Sequence, residues 1–570
     1  MILDSLNIAA SGLNTQQSAI NVVANNIANA NTPGYSRQVA DIATLSSQQV
    51  GNLNLGNGVT VGGVKRIVDP MINKAVANNG AQQGYWNTLN TGLNSVGGVF
   101  GSLQSTGLSS ALNNFFLSWQ QLSNNPQDNA QKANVRAKSQ TLISNLADMN
   151  KQLVAAQNSA NSQIDSQIQQ VNQLLDNIAS LSKQINQQGA SGTANTLLDK
   201  RDQAISKLSK LIPVQQVSTG NGGMMLQTVS GDLLTGDGVA RHLARGAATA
   251  GGFAGLAIAQ TGQPVNIGTT GSIAGLIDLR DNKLGSYIKQ VNSLAENLAF
   301  SVNQIHASAN SGTASTALTS AQTSNPTLAL NDPAQQTPFA GQIKSGSFKI
   351  NVYNGNSTAT PSGGTVINIT AGVTTMANIV TSLNAVSGIS ASLDAGNHLN
   401  ITAAAGSSFT LSGDSSNVLA AYEMNSFFTG SGASTLKLSA AIQNNPSAIN
   451  TGGVDSLTSA ISSGDNSAAL GIMKLQNQAL SFGGGTGASL NDRTTTLTAQ
   501  YGNDVATSLQ QQQYSTAEGA ALTAQQKSIS GVSTDQALVS MLKFQQAYNA
   551  SAKVITTTNT MMASLMGLIR

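Results

Sequence analysis

The two ends of the chain share a spacing of apolar residues that few folds can accommodate. In the first segment, steps of three and four residues alternate along one seam, and Gln17 is its only polar member. The seam consists of Leu3, Leu6, Ala10, Leu13, Gln17, Ile20, Ala24 and Ile27. A mean spacing of 3.5 residues is the period of a coiled coil. We therefore predict a long helix over residues 3–27.

Residues 531–570 repeat this pattern. Two of the ten seam positions are amides, and the rest are apolar or aromatic. The positions are Leu538, Met541, Gln545, Tyr548, Ala552, Ile555, Asn559, Met562, Met566 and Ile569. Ser533 or Thr534 is predicted to cap this helix, and Asp535 falls in its first turn, where a negative charge is favourable.

Both helices carry almost no charge. Asp4 is the only charged residue before Arg37, and charged residues make up 9% of the chain, against roughly 25% in ordinary soluble domains. An antiparallel helix pair that closes one globular domain is one interpretation. However, a hairpin cannot cover faces this broad by itself, and few charges remain to solvate them. We favour a pair that also packs against other copies.

A turn motif follows the first helix. Its residues are Asn25, Asn26, Asn29, Thr32, Pro33, Gly34 and Tyr35. Pro33 suits the second position of a type II turn, and Gly34 can supply the positive φ that the third position requires. The motif is therefore predicted to lead the chain out of the helix.

The middle of the chain predicts an α+β fold that is multidomain and nested, with a helical rod and β-rich outer parts. Residues 39–70 read as a hairpin or extended arm, residues 130–187 as a helix of about 80 Å, and the chain from 440 onwards as helical. Four domains are predicted: a coiled-coil-like inner domain of terminal helices (1–35 and 531–570), a mainly helical domain (36–213, 271–324 and 440–530), a β subdomain (214–270) and an inserted, mostly β outer domain (325–439).

The sequence offers little chemistry. It has no cysteine, and its three histidines, His242, His306 and His398, fall on different predicted elements. The Leu198–Gln203 segment brings Asp199, Arg201 and Asp202 together, but such alternating charges are more typical of an ion-paired or solvated face. We predict no catalytic, cofactor or metal site. Trp86 and Trp119 are interpreted as core anchors.

Net charge and hydropathy exclude further classes. A net charge of +3 without a Lys/Arg run does not predict nucleic-acid binding. No apolar stretch approaches the length of a membrane span. The first residues lack a basic region and a continuous apolar core, so no cleaved secretory signal is expected.

Four segments, in order, resemble the FlgK family of flagellar hook-associated proteins. They are residues 6–38, which end in Thr32-Pro33-Gly34-Tyr35-Ser36-Arg37-Gln38, then 197–211, 427–449 and 530–569. The resemblance implies a structural, non-enzymatic protein at the junction of hook and filament, with its terminal helices in an inner tube and β domains outermost.

The resemblance also implies partners and a location. Copies would assemble into a ring or short helical zone between the hook protein and a second hook-associated protein. A cytoplasmic export chaperone would bind the C-terminal seam, and the flagellar type III apparatus would export the protein to the extracellular flagellum. The alternatives are another axial protein, such as a hook or rod subunit, and a secreted adhesin or enzyme whose active part is 325–439.

Overall fold

The structure is a computed structural model of the chain. It describes residues 2–568 apart from 51–52, 102–106, 189–193, 221–222, 249–251, 356–358, 360 and 481–486. Backbone contacts divide the chain into two compact units. Unit 1 comprises residues 1–92, 159–280 and 506–570, and unit 2 comprises residues 93–158 and 281–505. The finer four-domain division stays a prediction.

Helices dominate the described residues. Their bounds are α1 Ile2–Ala28, α2 Pro70–Ser95, α3 Gly97–Gly101, α4 Leu108–Asn124, α5 Asn129–Gln188, α6 Asn195–Leu211, α7 Ser272–Ile277, α8 Gly285–His306, α9 Met376–Asn384, α10 Val418–Ala421, α11 Ala440–Asn444, α12 Ser467–Lys474, α13 Leu490–Ser530 and α14 Thr534–Gly567. The long helix predicted over 130–187 corresponds to α5, whose 60 residues give a length of about 90 Å. Helices α2, α5 and α13 each contribute residues to both units.

The strands are short. In unit 1 they are β1 Gln38–Thr44, β2 Gln48–Val50, β3 Leu53–Leu55, β4 Val59–Arg66, β5 Gln215–Gly220, β6 Gly223–Gln227, β7 Leu233–Gly236, β8 Val239–Ala240, β9 Leu243–Ala248 and β10 Ala254–Ile258. In unit 2 they are β11 Ala317–Thr323, β12 Gly346–Tyr353, β13 Thr365–Ile369, β14 Ile389–Leu393, β15 His398–Ala403, β16 Ser408–Ser412, β17 Phe428–Thr429 and β18 Lys437–Leu438.

Sheet pairing in unit 1 is local. Strands β1 and β4 pair antiparallel, with a register shift between Asp41 and Ile42, and β2 pairs with β3 at the far end of this arm. Strands β5 to β8 form a four-stranded sheet in sequence order, and β9 pairs with β10. The predicted hairpin over 39–70 is confirmed.

In unit 2, two three-stranded sheets have the orders β11-β15-β14 and β13-β12-β16. Strand β11 precedes residue 325, where the sequence placed the start of the β-rich part, yet it pairs with β15. Its Ser, Thr and Ala residues lack the apolar alternation that marks a strand.

The core of unit 2 is aromatic. Trp119 is fully buried, with its ring centroid 5.2 Å from that of Phe427, and Phe115 lies 5.9 Å from Phe428. Asn303 holds the same segment, because its side chain accepts the N–H groups of Phe427 and Phe428. The end of the predicted outer domain therefore packs on α4 and α8.

Two sequence predictions about the interior need correction. Trp86 is only half-buried, edge-on to Tyr85, so Trp119 alone of the two is a core anchor. The chain after residue 440 is not continuously helical, since residues 449–466 form turns and isolated bridges. Helix α7 also passes into a π-helix over Asp278–Leu284, which no periodicity indicated.

Candidate assembly interface

Helices α1 and α14 lie side by side and antiparallel within unit 1. A Cβ atom at Gly12 would lie 3.1 Å from Ser551 Oγ. Toward the other end of the pair, Val22 and Val23 share a small cavity with Ser540 and Phe544. The contacting residues of α1 are small, which permits a close approach of the two backbones.

The buried face of α1 is not the seam that the sequence spacing selects. Its buried residues are Ala9, Thr15, Ala19, Val23 and Asn26. Thr15 also donates to the carbonyl oxygen of Val59 at 3.3 Å, which ties α1 to β4. The small residues Ala9, Gly12 and Ala19 are the signal that could have identified this face.

The predicted N-terminal seam is left partly open. Leu3 has 64% of its surface exposed. Leu6, Ala10, Leu13, Ile20 and Ile27 are half-buried, and Gln17 and Ala24 are exposed. These side chains therefore retain surface that the α1–α14 contact does not cover.

Part of the predicted C-terminal seam is half-buried, and part of it is exposed to solvent. Met541, Tyr548, Ala552, Ile555 and Met562 are half-buried, while Leu538, Gln545, Asn559 and Met566 are exposed. Ile569 lies outside the described residues. As predicted, Ser533 caps α14, since its side chain accepts the N–H of Gln536, and Asp535 falls in the first turn.

The turn motif has the predicted geometry. Gly34 has a φ of +75°, and the N–H of Tyr35 donates to the carbonyl oxygen of Thr32 at 3.2 Å, as in a type II turn. Before the turn, the Asn29 side chain donates to Asn25 Oδ1 and accepts from the Thr32 hydroxyl. These bonds close the end of α1.

Asn26 connects α1 to the start of β1. Its Nδ2 donates to the Gln38 carbonyl oxygen at 2.7 Å, and its Oδ1 accepts the Gln38 N–H at 2.9 Å. The same Oδ1 accepts the Tyr35 hydroxyl at 2.8 Å. Because this buried amide makes three hydrogen bonds, it fixes the direction in which the chain leaves α1.

The turn is also anchored to α6, through the charged cluster that the sequence singled out. Asp199 accepts the N–H and the hydroxyl of Ser36 at 3.1 and 2.8 Å. Arg66 pairs with Asp199 at 2.9 Å and with Asp202 at 2.7 Å. The Gln203 amide donates to the Pro33 carbonyl oxygen. The cluster is ion-paired and structural, as its alternating charges indicated.

Burial shifts the pKa of two groups at this anchor. Desolvation raises the pKa of the Tyr35 phenol, and the negative charge of Asp199 adds to the effect. Desolvation lowers the pKa of the Arg201 guanidinium, although Asp202 opposes the shift.

Each histidine contacts a different group. His242 pairs with Asp176, His398 contacts the Ser320 carbonyl oxygen, and His306 is buried in unit 2. Across the described ranges, no three His, Asp or Glu side chains converge as a metal site would require. Within the same ranges, every helix is too short or too polar to cross a membrane.

Family comparisons match both terminal helices and part of the region between them. Residues 6–35 match the profile described as flagella basal body rod protein, and residues 525–568 match that of flagellar basal body rod FlgEFG protein C-terminal. Residues 93–318 match the profile of the flagellar hook-associated protein FlgK helical domain.

Individual relatives agree. The chain is 27% identical to flagellar hook-associated protein 1 of Escherichia coli K12, over 99% of both chains. It is 31% identical to the Salmonella typhimurium LT2 protein of the same name, over 53% of this chain and 56% of that protein. The chain thus spans about half the length of the Salmonella relative in that alignment.

A solved structure shows the same fold. The flagellar hook junction protein FlgK from Burkholderia pseudomallei matches with a TM-score of 0.53 and 19% identity, over 80% of this chain and all of that one. Paired terminal helices with rod-protein profiles at both ends define the class of flagellar axial proteins. Within this class, the chain is similar to the FlgK family of hook-associated proteins, through the profile of the helical domain and through a relative aligned over nearly the whole length of both chains.

Proposed function

We propose that this protein is a structural junction protein, which joins the hook to the filament of the bacterial flagellum and polymerises through α1 and α14. The observation that supports this role is the apolar surface that remains on the helix pair after the two helices have packed together. Leu3, Leu538 and Met566 are more than half exposed. Large apolar side chains left exposed in this way are typical of a protein interface.

The partners follow from this role. Copies of the chain form a ring or short helical zone through the predicted N- and C-terminal seams. The hook protein lies on one side, and a second hook-associated protein on the other. Before assembly, a cytoplasmic export chaperone covers the apolar residues of the predicted C-terminal seam, and the type III apparatus exports the chain to the extracellular flagellum. The function is mechanical rather than enzymatic.

Gene loss separates this proposal from the nearest alternative, a hook or rod subunit. Cells without the junction protein should keep their hooks and lack filaments, as counted by electron microscopy. Cells without a hook subunit should lack the hook itself. Hookless cells would contradict the proposal.

A matched pair of variants tests the helix pair directly. Ile20 is half-buried on the predicted seam, and its neighbour Asn21 is exposed. Ile20→Asp should abolish filament attachment, because the contact between copies would bury an unpaired charge. Asn21→Asp adds the same charge at an exposed position and should preserve attachment. Equal attachment in both variants would remove the seam from the interface.

Chaperone binding has its own test. Leu538→Asp combined with Leu542→Asp changes only exposed side chains of α14, so the fold should persist. We expect this variant to lose co-purification with the cytoplasmic chaperone, while the corresponding exposed pair Gln545→Asp and Asn549→Asp retains it. Retention in both variants would exclude this end of α14 as the chaperone site.

A further inference from the structure

A cavity of about 670 Å³ lies within unit 2, beside strand β11. A volume of this size is typical of pockets that bind ligands. The described residues that line it all fall within 306–450 of unit 2, so the cavity is separate from the terminal helices and the inference does not rest on the proposed function. Small side chains dominate the lining, among them Ala317, Ala440, Ala441 and Ser439, which leaves room for the side chains of a bound molecule.

One wall of the cavity is the free edge of β11. Ser315 exchanges two backbone hydrogen bonds with β16, at 2.9 and 2.7 Å, while the carbonyl oxygen of Thr316 accepts the N–H of Ala403, next to β15. Because the backbone groups of successive residues point to opposite sides of a strand, Ala317 and Thr319 direct theirs to the side of Ser315, away from β15. Both residues line the cavity. Past Ser315, the described residues provide no strand that pairs with this edge.

An open edge of this kind specifies the chemistry of its partner. A strand edge offers alternating backbone donors and acceptors, which an extended peptide satisfies by adding one strand to the sheet. The side chains of Ala317 and Thr319 are exposed, so their backbone groups are not covered by a packed core. The wall therefore favours a peptide in the extended conformation.

The lining also includes a buried carboxyl, Glu423, which is 2% exposed. Its Oε1 accepts the Gly430 N–H at 2.8 Å, whereas its Oε2 is shielded from solvent and makes no hydrogen bond of normal geometry. Burial raises the pKa of Glu423, although the Gln322 side chain and the Gly430 N–H favour the ionised form. A carboxylate that is buried without a cation is unfavourable, so a ligand that brings a positive charge is favoured here.

The carboxyl lies close to the open edge. The Gln322 N–H, near the end of β11, donates to the carbonyl oxygen of Tyr422, the residue before Glu423, at 3.3 Å. Glu423 itself has a φ of +52°, in the left-handed region that glutamate seldom adopts. Backbone strain of this kind is typical of binding sites. The edge and the carboxyl therefore belong to one site.

The cavity has no cation of its own among the described residues that line it. Lys132 and Arg136 of α5 donate to the carbonyl oxygens of Ser447 and Gln443, but neither of these cations lines the cavity. Ser439 does line it, and its Oγ is shielded and makes no hydrogen bond. The positive charge that would complement Glu423 must therefore come from the ligand.

We propose that this cavity binds an extended peptide segment of a partner protein, which pairs with the free edge of β11 and places a lysine side chain against Glu423. The segment has no proline at the positions that pair, because proline cannot donate to the edge. The backbone pairing sets the direction of the segment, and the lysine sets its register along β11.

Peptide binding to the full chain tests the charge contact. The probe is the peptide Thr-Val-Lys-Val-Thr with a fluorescein label at its amino end and an amide at its carboxyl end, and fluorescence anisotropy reports binding. A second peptide has norleucine in place of lysine. We expect the lysine peptide to bind severalfold more tightly, and this preference to disappear in Glu423→Gln. Equal affinities for wild type, or no binding of the lysine peptide, would overturn the proposal.

Two variants of β11 test the edge. Thr319→Pro removes the N–H that faces the cavity and leaves the pairing with β15 in place, whereas Thr319→Val keeps this N–H. Both variants lose the hydrogen bond from the Thr319 hydroxyl to Asn400 Oδ1, so they are matched in that respect. We expect the valine variant to bind the lysine peptide like wild type and the proline variant to bind it severalfold more weakly. Equal binding would contradict strand pairing.

A pair of modified peptides makes the same test on the unaltered chain. One peptide is N-methylated at both valines, and the other at the lysine and the last threonine. Because an added strand uses only alternate amides, one of these peptides should lose binding and the other should keep it. Loss or retention in both would overturn the proposal. Displacement of the lysine peptide by excess unlabelled protein would identify a second copy as the occupant and would likewise contradict a partner protein.

Discussion

Gly12 of α1 lies so close to Ser551 of α14 that a methyl group at position 12 would contact the serine hydroxyl. The distance from an added Cβ to Ser551 Oγ is 3.1 Å, and that to Ser551 Cβ is 3.9 Å. The first is tighter than an ordinary van der Waals contact, and the second is ordinary. The hydroxyl therefore sets how close the two helices can come.

This geometry predicts coupling between the two positions. Gly12→Ala raises helix propensity but crowds Ser551, and Ser551→Ala removes the crowded atom. The double variant should be more stable than the sum of the single variants by about 0.5–3 kcal/mol. The wild type, the two single variants and the double variant are unfolded with a chemical denaturant, and amide hydrogen exchange in α1 serves as the readout of stability. Strict additivity would mean that the helices separate freely at this point.

The anchor of the turn motif gives a second prediction. Asp199 is 5% exposed and serves both Ser36 and Arg66. Asp199→Ala should cost about 2–4 kcal/mol, because Arg66 and Ser36 lose buried partners, although Asp202 continues to pair with Arg66. The exposed Asp41–Lys65 pair is the control, and Asp41→Ala should cost less than about 1 kcal/mol. The unfolding free energy of unit 1, measured by chemical denaturation of both variants, makes the comparison. Equal losses of stability in Asp199→Ala and Asp41→Ala would contradict the role of Asp199 as an anchor of the turn motif.

The sequence predicted elements better than it predicted contacts. Periodicity located α1, α5 and α14 because each repeats an apolar pattern over many turns. Within one copy, α1 buries small residues such as Ala9 and Ala19, which pack more closely than large ones but contribute little to an apolar pattern. The predicted seam of α1 stays a prediction for the contact between copies.

Contacts made by amides gave no signal at all. Within unit 1, α2 and α13 are joined by Asn73 to Gln526, Asn79 to Glu518 and Asn90 to Gln512. Hydrogen bonds of this kind depend on which side chains face each other across the contact. The spacing of apolar residues does not predict which polar side chains face each other. The turn motif was predictable in detail because Pro33 fixes its own φ and Gly34 allows the positive φ that the turn requires.

His306 predicts a dependence of stability on pH in unit 2. The ring is buried, its Nε2 accepts the Asn450 N–H at 3.0 Å, and its Nδ1 therefore donates to the Asn425 carbonyl oxygen at 2.9 Å. Burial lowers its pKa from 6.5 to about 4. The unfolded chain then binds more protons than the folded chain between these values, so this contribution is complete above pH 6.5 and is lost as the pH falls toward 4.

The expected loss from His306 is about 3 kcal/mol across that interval. Burial raises the pKa of Glu423 and of Asp414 in the same unit, so these carboxyls also titrate and must be separated from the histidine. His306→Gln provides the separation. The difference in unfolding free energy between wild type and variant should narrow as the pH falls from 6.5 to 4. A constant difference would show that His306 does not carry the pH dependence.

Two glycines of α13 test the amide contact with α2. A Cβ at Gly519 would lie 2.0 Å from Gln83 Nε2 and 2.5 Å from Asn79 Oδ1, whereas a Cβ at Gly502 would meet nothing within 4 Å. Alanine in an open helix interior stabilises by roughly 0.5–1 kcal/mol relative to glycine, and Gly502→Ala should show this gain.

Gly519→Ala should instead destabilise, because Gln83 must move and give up its bonds to Asn79 Oδ1 and to the Ser515 carbonyl oxygen. Each lost bond costs about 1 kcal/mol, and more where the partner stays buried and unsatisfied. Parallel denaturation curves of the two variants make the comparison. A gain in both would mean that the amide contact adapts to a methyl group and does not fix the spacing of α2 and α13.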